Sequence, residues 1–171
     1  MFLYLVLILI IVFLLLLLSM VWPPDSPWAP NWGTSRVVAE AECSLAKITS
    51  KDLIYDLGSG GGLALITAAK LTGAKGIGVE IDPIRFFISK FRARMEGVSN
   101  KVIFKRRDLF DQNLAQANVV FVYLVPKTLD RLIPKFKKEL KKGTRIVSYH
   151  YEMNLPLKNK DAKNNIFLYI I

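Results

Sequence analysis

A run of glycines and two acidic residues lie where two predicted strands end. The stretch LIYDLGSGGG, residues 53–62, places Asp56 and then alternating glycines between a short apolar strand and an apolar helical run. Glycine has no side chain and tolerates positive φ, so such a turn lets the backbone come close to a ligand. Glu80 ends the next apolar strand, and in parallel α/β units that position lies beside a bound ribose. Together these residues predict a nucleoside-binding crevice.

The spacing of the glycines argues against two classes of nucleotide site. The dinucleotide fingerprint G-x-G-x-x-G/A needs a small third residue, but Leu63 or Leu65 stands there, depending on whether the count starts at Gly58 or at Gly60. A phosphate-binding P-loop needs G-K-[ST] after the glycines, and none follows. With these two classes excluded, the pattern to explain is an acidic residue, the glycine run G-x-G-x-G and a second acidic residue. This pattern resembles the S-adenosylmethionine site of the class I, seven-strand methyltransferases.

The resemblance implies a role for each part of this site. Asp56 and the glycine turn would hold the methionine end of the cofactor and approach its sugar, and Glu80 would accept hydrogen bonds from both ribose hydroxyls. Asp108, at the end of a third strand, would receive the adenine amino group and Leu109 would touch the ring, although Asp108 could simply cap a turn. Tyr123 ends the fourth strand, where such a fold places the transferred methyl group, and is the candidate catalytic residue; a buried core tyrosine is the alternative. The implied cofactor-binding residues are Asp56, Gly58, Ser59, Gly60, Gly61, Gly62, Glu80, Ile81, Asp108 and Leu109.

Strand and helix patterns alternate after the glycine turn. The alternation predicts an α/β fold with a doubly wound, mostly parallel sheet of the Rossmann-like methyltransferase kind. The run ANVVFVYLV, residues 117–125, predicts a central strand buried on both faces. Asp82 and Pro83 predict the start of a helix. Its apolar stripe, expected to pack inward, consists of Ile84, Phe87, Ile88, Phe91 and Met95.

The N-terminal residues 2–22 carry no charged side chain. At about 1.5 Å per residue they could cover a hydrocarbon core of about 30 Å, which predicts a transmembrane helix. We therefore expect a transmembrane helix at 1–22, a Pro/Trp-rich linker at 23–33 and a methyltransferase domain at 34–171. Within the linker, residues 28–32 would anchor at the membrane surface or cover the mouth of the cofactor site. Basic residues on the C-terminal flank favour a single-pass membrane protein whose catalytic domain is cytoplasmic.

The composition limits the partners. The 171 residues include 24 Lys+Arg and 14 Asp+Glu, giving a net charge of +10. Such a basic chain suits an anionic lipid surface, nucleic acid or acidic protein substrates. Cys43 is the single cysteine, which excludes an internal disulfide, and His150 is the single histidine. Without a Cys/His cluster, no metal site is expected.

Almost the whole predicted domain resembles a particular family. It is similar to the small, often membrane-anchored methyltransferases related to the lysine methyltransferase of the ATP synthase c-subunit and to archaeal protein-lysine methyltransferases. The chain departs from the family at Gly61, where an acid is usual; the glycine removes a side chain that helps hold the cofactor, which bears on affinity more than on fold. The matching stretches are 28–32, 56–62, 78–82, 108–110, 120–126 and 141–148.

The resemblance implies protein N-methylation, and two other functions stay open. The leading interpretation is methylation of a lysine in a membrane-associated protein, in which positioning of a deprotonated amine is the main task. Membrane lipid and a membrane-protein substrate are then the expected partners. RNA methylation suits the positive charge, but amino-directed RNA enzymes usually show Asn/Asp-Pro-Pro-aromatic after the fourth strand, and residues 123–126 are YLVP. A non-enzymatic membrane module with this fold is the third possibility, which the change at Gly61 leaves open.

Overall fold

The computed structural model describes residues 2–21 and 33–171; in the first helix it describes side chains from Leu3 to Leu16. The helices are α1 (Phe2–Val21), α2 (Arg36–Leu45), α3 (Leu63–Thr72), α4 (Pro83–Met95) and α5 (Pro126–Glu139), with one 3₁₀ turn at Leu109–Asp111. The strands are β1 (Leu53–Leu57), β2 (Lys75–Glu80), β3 (Val102–Arg106), β4 (Val119–Val122), β5 (Arg145–Tyr149), β6 (Leu157–Asp161) and β7 (Ile166–Ile170).

The seven strands form one sheet in the order β3-β2-β1-β4-β5-β7-β6. Strands β1 to β5 run parallel, whereas β7 pairs antiparallel with β5 and β6 antiparallel with β7. The predicted α/β fold with a mostly parallel sheet is therefore confirmed. Strand order reverses between β1 and β4, and in open α/β sheets ligands bind outside the carboxyl ends of the strands at such a point.

The central strand β4 is buried on both faces, as the apolar run at residues 117–125 predicted. All four residues of β4 are buried, and they alternate between two apolar clusters. Val119 and Phe121 pack in the cluster that contains the buried residues of α2 and α3. Val120 and Val122 pack in the cluster that contains the buried side chains of α5. Because burial of such a side chain stabilises by about 1.5–3 kcal/mol, these two layers hold the carboxyl ends of β1 and β4 in place.

Helix α4 turns a different face to the sheet from the one predicted. It begins as expected, since Asp82 accepts a hydrogen bond from the Arg85 N–H at 2.8 Å and Pro83 occupies the first turn. Its buried residues are Ser89 and Ala93, however, and the predicted stripe is largely exposed, at 65% for Phe87 and 70% for Met95. The prediction of an inward stripe was wrong because the small residues let α4 lie close to the glycine turn. A Cβ on Gly62 would be 3.0 Å from the Ser89 Cβ.

Helix α1 contains the residues predicted to cross a membrane. In the part of the chain that the structure describes, no helix is both long enough and apolar enough to do so. The predicted single-pass membrane location is therefore wrong, and the predicted transmembrane helix at 1–22 is unsupported.

The predicted linker lies almost wholly outside the described residues. Of residues 23–33, only Gly33 is described, so the expectation that residues 28–32 cover the mouth of the site is untested. Helix α2 follows, with Ser35 as its N-cap: the Ser35 Oγ accepts from the Val38 N–H at 3.2 Å. The domain boundaries at 22/23 and 33/34 stay predictions.

The close contact between β2 and α3 gives a test of the packing. A Cβ on Gly76 in β2 would overlap the fully buried Leu65, with the Leu65 Cγ only 2.7 Å away. We expect Gly76→Ala to lower the free energy of unfolding by about 1–3 kcal/mol, because overpacking displaces neighbours in a filled core. Urea unfolding measures the loss as a lower midpoint. Gly33→Ala is the matched control, since its added Cβ would meet nothing within 4 Å; equal midpoints for the two variants would contradict this packing.

Candidate functional site

A cavity of about 310 Å³ lies at the carboxyl ends of β1, β2 and β4. Its volume is within the range of about 300–1,000 Å³ that is usual for small-molecule sites, and its position is the point where strand order reverses. Most of the residues predicted from the sequence line it. These are Asp56, Gly58, Ser59, Gly60, Gly61, Glu80, Ile81, Leu109 and Tyr123.

The glycine turn is held open by its own backbone. The N–H groups of Gly58 and Ser59 both donate to the carbonyl of Val79, at 2.9 and 3.0 Å, so the turn is fixed to the end of β2. Gly58 and Gly60 have φ of 80° and 52°, values that L-residues with side chains rarely adopt. A Cβ on Gly60 would meet nothing within 4 Å. The backbone at Gly60 therefore stays accessible for close approach of a ligand.

Glu80 links the glycine turn to the start of α4. Its side chain is buried, with 6% exposure. One carboxylate oxygen accepts from the Gly60 N–H at 2.8 Å and the other accepts from the Asp82 N–H at 2.9 Å. Each oxygen of a carboxylate can accept about two hydrogen bonds. Glu80 is thus fixed in position and keeps one acceptor site on each oxygen for a pair of hydroxyl groups.

Two more buried carboxyl groups face the cavity. Burial, and then the negative charge of Glu80, raise the pKa of Asp56 from its ordinary 3.8 to about 7. Burial, and then Asp56, also raise the pKa of Glu42 well above its usual value. Among the described residues, Glu42 Oε2 and Ser59 Oγ have no hydrogen-bond partner, although both are buried. Such unpaired buried atoms are costly unless a ligand satisfies them, and acids suit a cationic ligand.

Glu42 is a site residue that the sequence reasoning missed. It lies on the buried face of α2 with Val38, Ala39 and Cys43. The available signal was an acidic residue on an otherwise apolar helix face. Charged residues are almost never fully buried unless they are paired, so an acid at such a position indicates a partner or a ligand. Glu42 lies on α2, outside the motif at residues 53–62, so the spacing within that motif could not reveal it.

Arginines from α4 and from the chain after β3 also reach the cavity. Arg85 and Arg92 line it, as does Arg107. Arg92 Nη1 donates to the carbonyl of Gly61 at 2.9 Å. A Cβ on Gly61 would be 2.9 Å from the same Nη1. The guanidinium group therefore occupies space beside Gly61 that a side chain at that position would otherwise use.

Two predicted cofactor-binding residues do not line the cavity. The carboxylate of Asp108 accepts from the Phe110 N–H at 2.8 Å and caps the 3₁₀ turn, the alternative that the sequence left open. Gly62 is the N-terminal cap of α3 with φ of 76°, and a Cβ there would be 2.5 Å from Phe104. Packing against Phe104 therefore requires a glycine at position 62. Binding roles for both residues stay predictions.

Tyr123 follows β4 directly and lies at the cavity wall. Its ring is half-buried, and burial, then the nearby Tyr149 and Tyr151, raise the pKa of its hydroxyl. The ring centroids of Tyr123 and Tyr149 are 4.4 Å apart. The predicted catalytic role of Tyr123 is untested, but its position at the carboxyl end of the central strand is the expected one.

The residues present fit S-adenosylmethionine. The ligand carries an ammonium and a sulfonium group, which match the buried acids Asp56 and Glu42, and a ribose diol, which matches the two free acceptor sites of Glu80. The accessible backbone at Gly60 gives room for close approach. We conclude that the donor set and the room at the glycine turn agree with this cofactor.

Comparison with known proteins agrees with the geometry. The family model described as "ANTKMT methyltransferase domain" matches residues 56–157. A protein-lysine N-methyltransferase of Saccharolobus islandicus is 31% identical over 160 residues, which are 89% of this chain and 98% of that protein. The lysine N-methyltransferase of the ATP synthase c-subunit from Rattus norvegicus is 34% identical over 98 residues, 57% of this chain and 45% of that enzyme. The chain thus matches less than half the length of the rat enzyme.

A solved structure is similar over most of the chain. The crystal structure of an RNA methyltransferase from Salinibacter ruber in complex with S-adenosyl-L-homocysteine has a TM-score of 0.79 and is 33% identical. The match covers 82% of this chain and 94% of that one. The family model and the relative that is matched over nearly its full length lead to one assignment: the chain belongs to the ANTKMT methyltransferase domain family and is a class I methyltransferase that uses S-adenosylmethionine.

Proposed function

We propose that this chain is a protein-lysine N-methyltransferase. The observation that carries the proposal is the archaeal protein-lysine N-methyltransferase, which matches this chain over 98% of its own length. The lysine methyltransferases of the ATP synthase c-subunit add support over a shorter stretch. Membrane lipid and a membrane-protein acceptor, the partners expected from the sequence, stay predictions, and the proposal rests on neither.

The chain's own residues hold the cofactor and shape its surroundings. When bound, S-adenosylmethionine supplies a methyl group on a positively charged sulfur. Glu80 offers its two free acceptor sites to the ribose hydroxyls, and the buried acids Asp56 and Glu42 offer negative charge to the cationic end. Asp56 lies beside the glycine turn, so the same short segment supplies both charge and close backbone contact.

An acceptor lysine must lose its proton before its nitrogen can act as a nucleophile. Burial disfavours the charged form of an amine and lowers its pKa, so a partly apolar cavity wall helps this loss. Tyr123 and Leu124 form part of that wall. The enzyme's task is then to hold the neutral amine in line with the methyl group, which is worth several kcal/mol without a strong base.

RNA methylation is the second candidate function, and one observation favours it. The similar solved structure from Salinibacter ruber is described as an RNA methyltransferase, and the net charge of +10 suits a polyanion. Against it, residues 123–126 are YLVP and lack the Asn/Asp-Pro-Pro-aromatic motif usual for amino-directed RNA enzymes. The protein-lysine interpretation therefore has better support.

Cofactor binding can be tested at Glu80. We expect the full chain to bind S-adenosylmethionine and S-adenosylhomocysteine, and Glu80→Gln to weaken both by about tenfold or more. The amide keeps the size of the side chain but points an NH₂ donor at the N–H of either Gly60 or Asp82. Isothermal titration calorimetry measures the change, with the exposed Glu40→Gln as the matched control. Unchanged affinity in Glu80→Gln would remove this role.

The raised pKa of Asp56 predicts how binding depends on pH. Below about pH 7 Asp56 holds a proton, and a cationic ligand favours its ionised form, so binding must release that proton. Affinity should therefore fall as pH drops from 8 to 6, by up to about tenfold per pH unit. Asp56→Asn should bind more weakly at pH 8 and lose most of this slope.

Calorimetry across the pH range measures both effects. Glu42→Gln is included because Glu42 also titrates near the ligand, and Asp130→Asn on the exposed face of α5 is the control. An affinity that stays flat between pH 8 and pH 6 in the unmodified chain would contradict the role given to Asp56.

The acceptor can be identified directly. The full chain is incubated with methyl-tritiated S-adenosylmethionine and, in separate reactions, with total cell protein and total RNA. We expect label in protein that is recovered as methyl-lysine after acid hydrolysis, and a strong decrease with Glu80→Gln. Label in RNA with no methyl-lysine would reject the lysine proposal in favour of the second candidate.

A further inference from the structure

Four aromatic side chains gather where β4 and β5 end. Tyr123, Tyr149, His150 and Tyr151 form what we call the aromatic cluster. The centroid of the Tyr123 ring is 4.4 Å from that of Tyr149 and 6.3 Å from that of His150. His150 lies 6.1 Å from Tyr149 and 4.7 Å from Tyr151. Each ring therefore belongs to one continuous group.

The backbone that carries the cluster is held in a specific shape. Tyr123 and Tyr149 come directly after the paired residues Val122 and Ser148 of neighbouring parallel strands. The Ser148 hydroxyl donates to the carbonyl of Tyr151 at 2.6 Å, and the His150 N–H donates to the carbonyl of Asn165 at 2.7 Å. These bonds fix the turn that follows β5.

His150 itself has an unusual backbone conformation, with φ of 71°. A non-glycine residue with positive φ is uncommon, and such strain is concentrated at functional sites. Its ring is exposed, while Tyr149 and Tyr151 are half-buried. The strained turn thus presents an aromatic ring at the surface that packing alone does not require.

The cluster connects the surface with the cofactor cavity. Tyr123 belongs to both, because it lines the cavity and its ring contacts Tyr149. The carboxylates of the cavity, Asp56 and Glu80, are on the neighbouring strands β1 and β2. Tyr123 is therefore the point at which the cluster meets the cavity wall.

We propose that the aromatic cluster is the binding site for the acceptor lysine, and that the rings hold its amine in both the free and the methylated forms. This inference rests on the proposed function. Aromatic faces attract a cation within about 6 Å of the ring centroid, and aromatic cages are used to bind methylated ammonium groups. The hydroxyls of the tyrosines can in addition accept hydrogen bonds from an amine that still carries N–H.

The ring geometry favours an ammonium group over a nucleobase. A base stacks on a ring face that it meets in parallel. In the four ring pairs that are in contact the interplanar angles are 56°, 58°, 73° and 86°, so in none of these pairs are the rings parallel and none of them could enclose a flat base. Because the rings face in different directions, a small, roughly spherical cation at the surface of the cluster can lie against more than one of them.

The single histidine supplies a probe that does not depend on activity. His150 is the only histidine of the chain, so its ring protons can be followed by NMR without further assignment. The full chain is titrated with a short peptide whose only charge is that of one trimethyl-lysine. It is also titrated with the same peptide in which the uncharged tert-butyl isostere replaces the trimethyl-lysine. We expect saturable shifts of the His150 ring signals and a Kd at least about threefold lower for the cationic peptide.

Variants separate the ring from its hydroxyl. Tyr149→Leu should abolish the preference for the cationic peptide and raise KM for a lysine peptide by about three- to tenfold, with a smaller change in kcat and unchanged affinity for S-adenosylhomocysteine. Tyr149→Phe should keep the preference. His150→Asn, which tolerates positive φ and lies at the surface, tests the same idea without touching the core. Phe87→Leu on the exposed face of α4 is the matched control.

The outcomes are distinguishable from those of the function test. Equal affinity for the two peptides, or Tyr149→Leu and His150→Asn enzymes with an unchanged KM for lysine, would overturn the aromatic site while leaving lysine methylation intact. If the full chain labels RNA and forms no methyl-lysine, the proposed function fails and this site fails with it. Loss of the charge preference in Tyr149→Leu and a raised KM for lysine in both variants, with cofactor binding retained, support the proposal.

Discussion

The two hydrogen bonds of the Glu80 carboxylate are the constraint on which the site depends. They join the Gly60 N–H in the glycine turn to the Asp82 N–H at the start of α4. The turn after β1 and the helix after β2 are therefore positioned by one buried side chain at the edge of the sheet. A ligand that hydrogen-bonds to Glu80 meets a group that is already fixed, so little ordering is needed on binding.

Charge balance explains why such a cavity needs a cationic ligand. Three carboxyl groups and three guanidinium groups line it: Glu42, Asp56, Glu80, Arg85, Arg92 and Arg107. The acids are buried, however, and the raised pKa values of Asp56 and Glu42 show that the guanidinium groups do not compensate for their burial. A bound ammonium or sulfonium group would supply the missing partner. Pairing with a cation would offset the cost of burying these carboxyl groups.

The parts of the site that the sequence revealed are those encoded locally. Asp56, the glycines and Glu80 belong to a strand, a turn and the next strand, so their spacing carries the geometry. The mostly parallel sheet followed from the alternation of strand and helix patterns. Arg92 and Glu42 were missed because each reaches the cavity from a helix whose placement depends on packing elsewhere in the chain.

Other predictions failed or stayed open for related physical reasons. An apolar stripe shows which residues share a helix face, but the small residues Ser89 and Ala93, not the stripe, determined how close α4 comes to the sheet. Acidic residues at strand ends are ambiguous from sequence, since Asp108 uses its carboxylate to cap a turn. The N-terminal prediction relied on the length of an uncharged stretch, and in the part of the chain that the structure describes no helix is long and apolar enough to cross a membrane.

The change at Gly61 shows why a departure from a family pattern has to be judged together with its spatial neighbour. Considered alone, the loss of an acid predicts a weaker cofactor site. In the structure Arg92 donates to the carbonyl of Gly61, and its Nη1 lies only 2.9 Å from where a Cβ on residue 61 would be placed. Glycine therefore makes room for an arginine that comes from α4, 31 residues along the chain. An acid would have brought negative charge to a cavity already lined by three carboxyl groups, whereas the arginine brings a donor that holds the turn. Because two residues so far apart in sequence form one contact, the turn is stabilised from α4 rather than by a side chain of its own.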